Sequence, residues 1–178
     1  NISKITIKDK NMGMIACYQM IEDSVISELK KKDEDELFEN VEELQEDGDS
    51  VLDIDKLWDG LHCLLTGVTA SEPEWGNPLS EAIVGAEKFI DDEDSDYISY
   101  ISSDGVQEIE KALMGFDIEL ALIDFQPKDF VQKGIYPNIW IHSDKTELQQ
   151  ELKECFLELR SFYEKAVQLK KGVIVSIY

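Results

Sequence analysis

The clearest rhythm of apolar and polar positions lies in the last third of the chain. Leu148, Leu152, Cys155, Phe156, Leu159, Phe162, Tyr163, Ala166 and Leu169 recur at steps of three and four. That spacing predicts one long helix with a single face on a core. Asp144 or Thr146 stands where the first turn's free N–H groups need an acceptor. Gly172 ends the helix, and Val173–Tyr178, rich in β-branched and aromatic residues, reads as a terminal strand.

At the other end, Met14–Met20 reads as a short buried strand in a domain that begins at Met12. A helix from about Glu22 to Lys31 carries Ile21, Val25, Ile26 and Leu29 as its inner stripe. The segment Asp33–Asp49 is strongly acidic but keeps Leu37, Phe38, Val41 and Leu44 at i, i+1, i+4 and i+7. It predicts an amphipathic helix with a solvated anionic face, stopped by Gly48. Within the patterned stretch Val51–Gly67, Asp53 or Asp55 caps a helix that runs to about Leu65 and is closed by Gly67.

Between these, Asn77–Pro78–Leu79–Ser80 opens a short element holding Ala82, Ile83 and Val84, and Asp91–Asp96 is a charged loop. Tyr97–Ile101 alternates as a strand does, and Ser102 or Ser103 caps a helix carrying Val106, Ile109, Leu113 and Met114. Ile118–Phe125 is a further helical piece, ending before Pro127. Lys128–Lys133 reads as a turn leading to Gly134–Ile135–Tyr136–Pro137 and Trp140. Helices outnumber strands, and strands lie at both ends and in the middle. The fold class is α+β: a single domain over residues 12–178, whose small mixed or antiparallel sheet pairs the N- and C-terminal strands with packed helices around it. Residues 1–11, with Lys4, Lys8 and Lys10, form an N-terminal extension.

Charge then narrows the partners. The 178 residues hold 39 Asp and Glu against 17 Lys and Arg, a net charge of −22. Such a chain repels phosphate backbones and anionic lipid, so neither nucleic acid nor a membrane surface is an expected partner. A basic protein is attracted and steered. Glu42, Glu43, Glu46 and Asp47 on the acidic helix, with Asp91, Asp92, Glu93 and Asp94 in the loop, are the candidate docking surface. The three cysteines, Cys17, Cys63 and Cys155, are far apart, without a Cys-x-x-Cys, and each sits among apolar neighbours. They read as small buried hydrophobes in a reducing cytoplasm.

Candidate chemistry is sparse. On a helix through Asp55–Leu65, Ile54, Leu57, Leu61 and Leu64 form the stripe a core needs, while Asp55, Trp58 and His62 share a second face with Asp59 beside it. A carboxylate within reach of a histidine orients a general base, and Trp58 walls a pocket. Read structurally, the aspartates favour the helix start, Trp58 is core and His62 is a satisfied hydrogen-bonding group. His142, near Trp140, is the other histidine. No His-Glu-x-x-His, EF-hand loop, phosphate-binding glycine loop or Gly-x-Ser-x-Gly elbow occurs, so no metal and no cofactor are expected. Tyr136 and Trp140 read either as an exposed aromatic surface of the kind interfaces use or, preferred, as aromatics dropped with Ile135 onto the core, and Trp75 as the aromatic left partly exposed.

The Met12–Gly13–Met14–Ile15 opening, the Leu52–His62 block with Leu64–Leu65–Thr66–Gly67, and Asn77–Pro78–Leu79 resemble the YfbM-like family of small bacterial proteins. Gly134–Ile135–Tyr136–Pro137, Trp140 and Phe162–Tyr163–Glu164–Lys165–Ala166 extend the resemblance to the C-terminus, with Cys63 as a departure. The resemblance implies a small cytoplasmic bacterial α/β-type domain and brings no activity, since the family is a domain of unknown function. Two readings follow: a non-enzymatic acidic binding module, immunity- or inhibitor-like, docking a basic partner; or a small-molecule binder or hydrolase using the Asp55/Trp58/Asp59/His62 face. The second requires His62 to be accessible beside a cavity.

Overall fold

The computed structural model describes residues 14–46 and 48–178. The expected extension over residues 1–11, the domain start at Met12 and the candidate Asp47 lie outside the described residues.

Five antiparallel strands form one sheet in the order β2-β1-β5-β4-β3. The central pair is β1 (Ala16–Ile21) and β5 (Gly172–Ile177), joined over their whole length from Ala16↔Ile177 to Ile21↔Gly172. β4 (Tyr97–Ile101) flanks β5, and the edges are short: β2 (Val51–Asp53) and β3 (Glu87–Lys88). Short edges leave little unpaired backbone for another chain to extend.

Side-chain alternation buries both faces. Tyr18, Met20, Val173, Val175, Tyr97 and Ile101 enter the larger core. Their neighbours Ile21, Ile174, Ile98 and Tyr100 enter a smaller core on the opposite face. The larger core lies under α3 (Trp58–Thr66), α4 (Pro78–Val84), α5 (Ser103–Gly115) and α8 (Lys145–Gln168), with α5 and α8 packed together. α6 (Ile118–Asp124) and α7 (Pro127–Gln132) close its rim through Leu122, Phe125 and Phe130. The smaller core is roofed by α1 (Asp23–Leu29) and α2 (Glu34–Gln45), through Ile26, Leu29, Leu37 and Val41.

Caps follow side-chain chemistry. Asp33, Asn77, Ser102, Asp117 and Asp144 each accept from a backbone N–H in the first turn of the helix that follows. Asp144 takes two, from Thr146 at 2.9 Å and Glu147 at 3.2 Å.

Four expectations are corrected. Ile21 is the last residue of β1, not part of the first helix, because its partner Gly172 keeps it in the ladder. The helix within Val51–Gly67 begins later than a cap at Asp53 or Asp55 would place it. β2 pairs with β1, a 3₁₀ turn covers Asp55–Leu57, and α3 starts only at Trp58, without a side-chain cap. Asp53 Oδ1 accepts instead from the Asp55 N–H at 2.6 Å, a local turn that competes with helix. Asp55 accordingly sits at φ 52, in the left-handed region. Lys128–Lys133 is largely helical, as α7, with Pro127 at its favoured first position. Gly172 opens β5 and does not close α8, which ends at Gln168.

Candidate functional site

Three of the four residues proposed for a helix-face pocket lie inside the protein. Trp58 and His62 are 0 % exposed and Asp59 is 1 % exposed, whereas Asp55 is exposed before the helix begins. The face is therefore closed against the core, and the accessible His62 that the enzyme reading requires is not what the structure holds. Without that accessibility the small-molecule and hydrolase readings lose their motivation.

Asp59 ties two loops to α3. Its Oδ1 accepts from the Ala70 N–H at 2.7 Å and its Oδ2 from the Tyr136 N–H at 2.8 Å, while the Thr69 hydroxyl donates to both oxygens at 3.0 and 3.2 Å. Burial pushes the Asp59 carboxyl above its ordinary range, against the pull of those donors and of His62. Trp58 completes the tie: its Nε1–H donates to the Met14 carbonyl at 3.1 Å, and Tyr136, whose ring is 5.7 Å from the indole, accepts from the Met14 N–H at 2.7 Å through its hydroxyl. Aromatic rings, backbone and one carboxylate thus fasten the N-terminal strand, α3 and the Tyr136 turn together.

His62 has a determined tautomer. The Val68 carbonyl can only accept, so Nδ1–H donates to it at 2.9 Å. Nε2 therefore accepts from the Ser80 hydroxyl at 2.7 Å, and Ser80 Oγ in turn accepts from the Glu74 N–H at 3.0 Å. Burial lowers the His62 pKa from 6.5, opposed by the Val68 carbonyl and by the charges of Asp59 and Glu74. The Ser80–His62 contact has the geometry of a nucleophile and its base. Both residues are fully buried, however, and the serine oxygen is already committed to a backbone amide. Here the pair anchors α4 to α3. Sequence reasoning missed Ser80, because a lone serine within a short apolar helix carries no spacing signal.

His142 is exposed in the turn before α8 and shares no hydrogen bond with His62 among the described residues. Trp140 is buried, donating to the Ile135 carbonyl at 2.8 Å, and Trp75 is 42 % exposed, as the sequence suggests for each. Cys17 and Cys63 are buried, Cys155 half-buried, and all three are free thiols. Burial raises the pKa of each, that of Cys63 to about 11 and that of Cys155 to about 12. These are inert thiols, not nucleophiles. Among the described residues, no group of three His, Cys, Asp or Glu side chains is placed to hold a metal ion, and no helix is long and apolar enough to cross a membrane.

The acidic candidates lie outside. Glu42, Glu43 and Glu46 are exposed on and just beyond α2, and Asp91, Asp92, Glu93 and Asp94 are exposed in the loop before β4. Asp91 also meets Lys88 at 3.8 Å. Glu42 of α2 and Asp96, just before β4, both line a narrow cleft of about 20 Å³ between α2 and the ends of β4 and β5.

A family model described as a domain of unknown function, DUF1877, matches residues 12–176. The protein YfbM of Escherichia coli strain K12 is 40% identical over 74 residues, which are 42% of this chain and 44% of that protein. The aligned part thus spans less than half the length of that curated relative. The crystal structure of YfbM from Escherichia coli, described as a protein of unknown function, has the same fold. It matches with a TM-score of 0.74 at 22% identity, covering 92% of this chain and 99% of that one. With its five-stranded sheet and long C-terminal helix, and with the family pattern running nearly end to end, the chain belongs to the YfbM-like DUF1877 family.

Proposed function

We propose that the protein is a non-enzymatic binding module of the cytoplasm that docks a basic protein partner through its acidic face, in the manner of an immunity protein or inhibitor. One observation carries the reading: the carboxylates of α2 and of the loop before β4 are exposed, in stretches without a single Lys or Arg from residue 33 to 55 and from 89 to 110. An unbroken field of one sign attracts the opposite sign over a Debye length and repels like-charged partners. The polar groups of the α3 block are occupied in holding the fold, which leaves recognition to the anionic surface.

The test uses the full chain as bait at low salt, beside a variant carrying Glu42→Lys, Glu43→Lys and Glu46→Lys. A basic protein held by the wild type, released as salt rises and not held by the variant, is the expected result. Equal retention by both baits, or retention indifferent to salt, would overturn the reading.

A further inference from the structure

At the edge of the sheet opposite β2, the strand β3 borders an open pocket of about 250 Å³. Trp75, Ala86, Glu87, Lys88 and Asp91 line it. Trp75 differs from the other two tryptophans. Their indole N–H groups donate to carbonyls in the core, whereas Trp75 is exposed in a polar loop and its N–H makes no hydrogen bond among the described residues. Lys88 is the converse case. Its side chain is only 10 % exposed, yet its ammonium makes no direct hydrogen bond among the described residues. The Tyr97 ring lies 5.6 Å from it, and the Asp91 carboxylate 3.8 Å, beyond direct hydrogen-bond reach. The Glu87 carboxylate accepts from the Tyr100 hydroxyl.

These groups select a guest by elimination. An ammonium only donates and a carboxylate only accepts. An anionic ligand answers Lys88 but meets the charges of Glu87 and Asp91, and a cationic one answers the carboxylates but meets Lys88. A hydroxyl does both, so a single hydroxyl oxygen accepts from Lys88 while its proton is donated to Asp91, closing the 3.8 Å gap. The exposed indole asks in addition for a flat apolar face. A pocket of this size lies below the roughly 300–1,000 Å³ of drug-sized ligands. Hydroxyls around a rim and C–H bonds across a face occur together in a pyranose ring. We infer that the pocket binds a neutral sugar, its ring stacked on Trp75 and one hydroxyl bridging Lys88 and Asp91. The site stands independently of the acidic-docking reading, since it uses no residue of α2 and does not depend on the net charge.

A methyl hexoside, with about 13 non-hydrogen atoms at ordinary ligand efficiency, binds at about 1 mM or more weakly. The experiment therefore titrates the full, ¹⁵N-labelled chain with methyl β-D-glucopyranoside and follows the NMR shifts. Saturable shifts of the Trp75 indole N–H and of the Ala86 and Lys88 amides are expected. Sorbitol, an open-chain polyol without a ring face, and methyl β-D-glucuronide, an anion, are each expected to bind at least tenfold more weakly. Trp75→Ala and Lys88→Met lose the saturable shifts, whereas Lys111→Met on α5, with the same change in charge as Lys88→Met, retains them. Trp75→Ala changes an exposed loop residue, so it decides the question even if Lys88→Met fails to fold. Absence of a saturable shift at Trp75, its survival in Trp75→Ala at the Ala86 and Lys88 amides, or equal or tighter binding of sorbitol or the glucuronide would overturn the inference.

Discussion

At the scale of single residues, the block from Trp58 to His62 shows how polar groups are kept inside a protein. Asp59 is tolerated because every buried donor around it needs an acceptor: the Ala70 and Tyr136 amides and the Thr69 hydroxyl converge on two oxygens. Asp59→Asn retains the shape but turns an amide NH₂ toward one of those N–H groups. A loss of about 1–3 kcal/mol is expected, the cost of one buried donor without a partner, measured by urea unfolding. His62 makes a prediction in pH. Its folded pKa lies below 6.5, so below that pH the unfolded chain takes up the proton more readily than the folded one. Stability is thus unaffected by His62 above 6.5 and declines as pH falls from there toward the folded pKa. Monitoring the His62 ring protons by NMR should give a titration displaced to acid, and an ordinary midpoint would contradict the sealed Val68–His62–Ser80 chain. The identities Asp59 and His62 were legible in the sequence, but their burial was not. Their partners Thr69, Ala70, Ser80 and Tyr136 come from a loop, a short helix and a turn, where no hydrophobic period announces what will face inward.

At the scale of elements, legibility follows length and period. α8 keeps a regular spacing over 24 residues, and β5 is a run of β-branched residues, so both are read directly from the chain. β2 is missed because its three residues, Val51–Asp53, continue the apolar pattern of the helix that follows, and only pairing with Cys17–Gln19 makes them a strand. β3, two residues long, exists solely by its pairing with Ser99 and Tyr100. Two helix glycines test how packing overrides propensity. A Cβ on Gly60, within α3, would stand 2.3 Å from the buried ring of Trp140. Gly60→Ala is therefore expected to destabilise by about 1–3 kcal/mol from overpacking, despite the helix propensity alanine adds. Gly115, at the end of α5, has open space around it and an ordinary φ. Gly115→Ala is expected to stabilise by roughly 0.4–1 kcal/mol. Thermal unfolding of the two variants beside the wild type checks the opposite signs.

At the scale of the whole molecule, two apolar layers enclose one sheet and a charge of −22 covers the outside. This division was visible from the sequence, because acidic residues and apolar stripes alternate in the same helices. What pattern does not encode is how distant segments meet: residues 42 and 96 flank one cleft only because α2 crosses the sheet where β4 begins. Self-repulsion among so many carboxylates opposes compactness. Added sodium chloride should therefore raise the melting temperature, by about 2–4 °C for each kcal/mol of repulsion screened. A melting temperature that falls with salt would mean that attractive surface pairs dominate.

The proposed division of labour between a closed interior and a recognising exterior turns on whether the Trp58–His62 block is truly shut. Amide hydrogen exchange reads this directly at Ala70 and Tyr136, two positions outside the helices and strands whose N–H groups are held by Asp59 alone. Protection at those two amides as strong as in the central strand β5 is the expected result. Exchange there at the rate of exposed loops would contradict it, and would return the block to consideration as an open site.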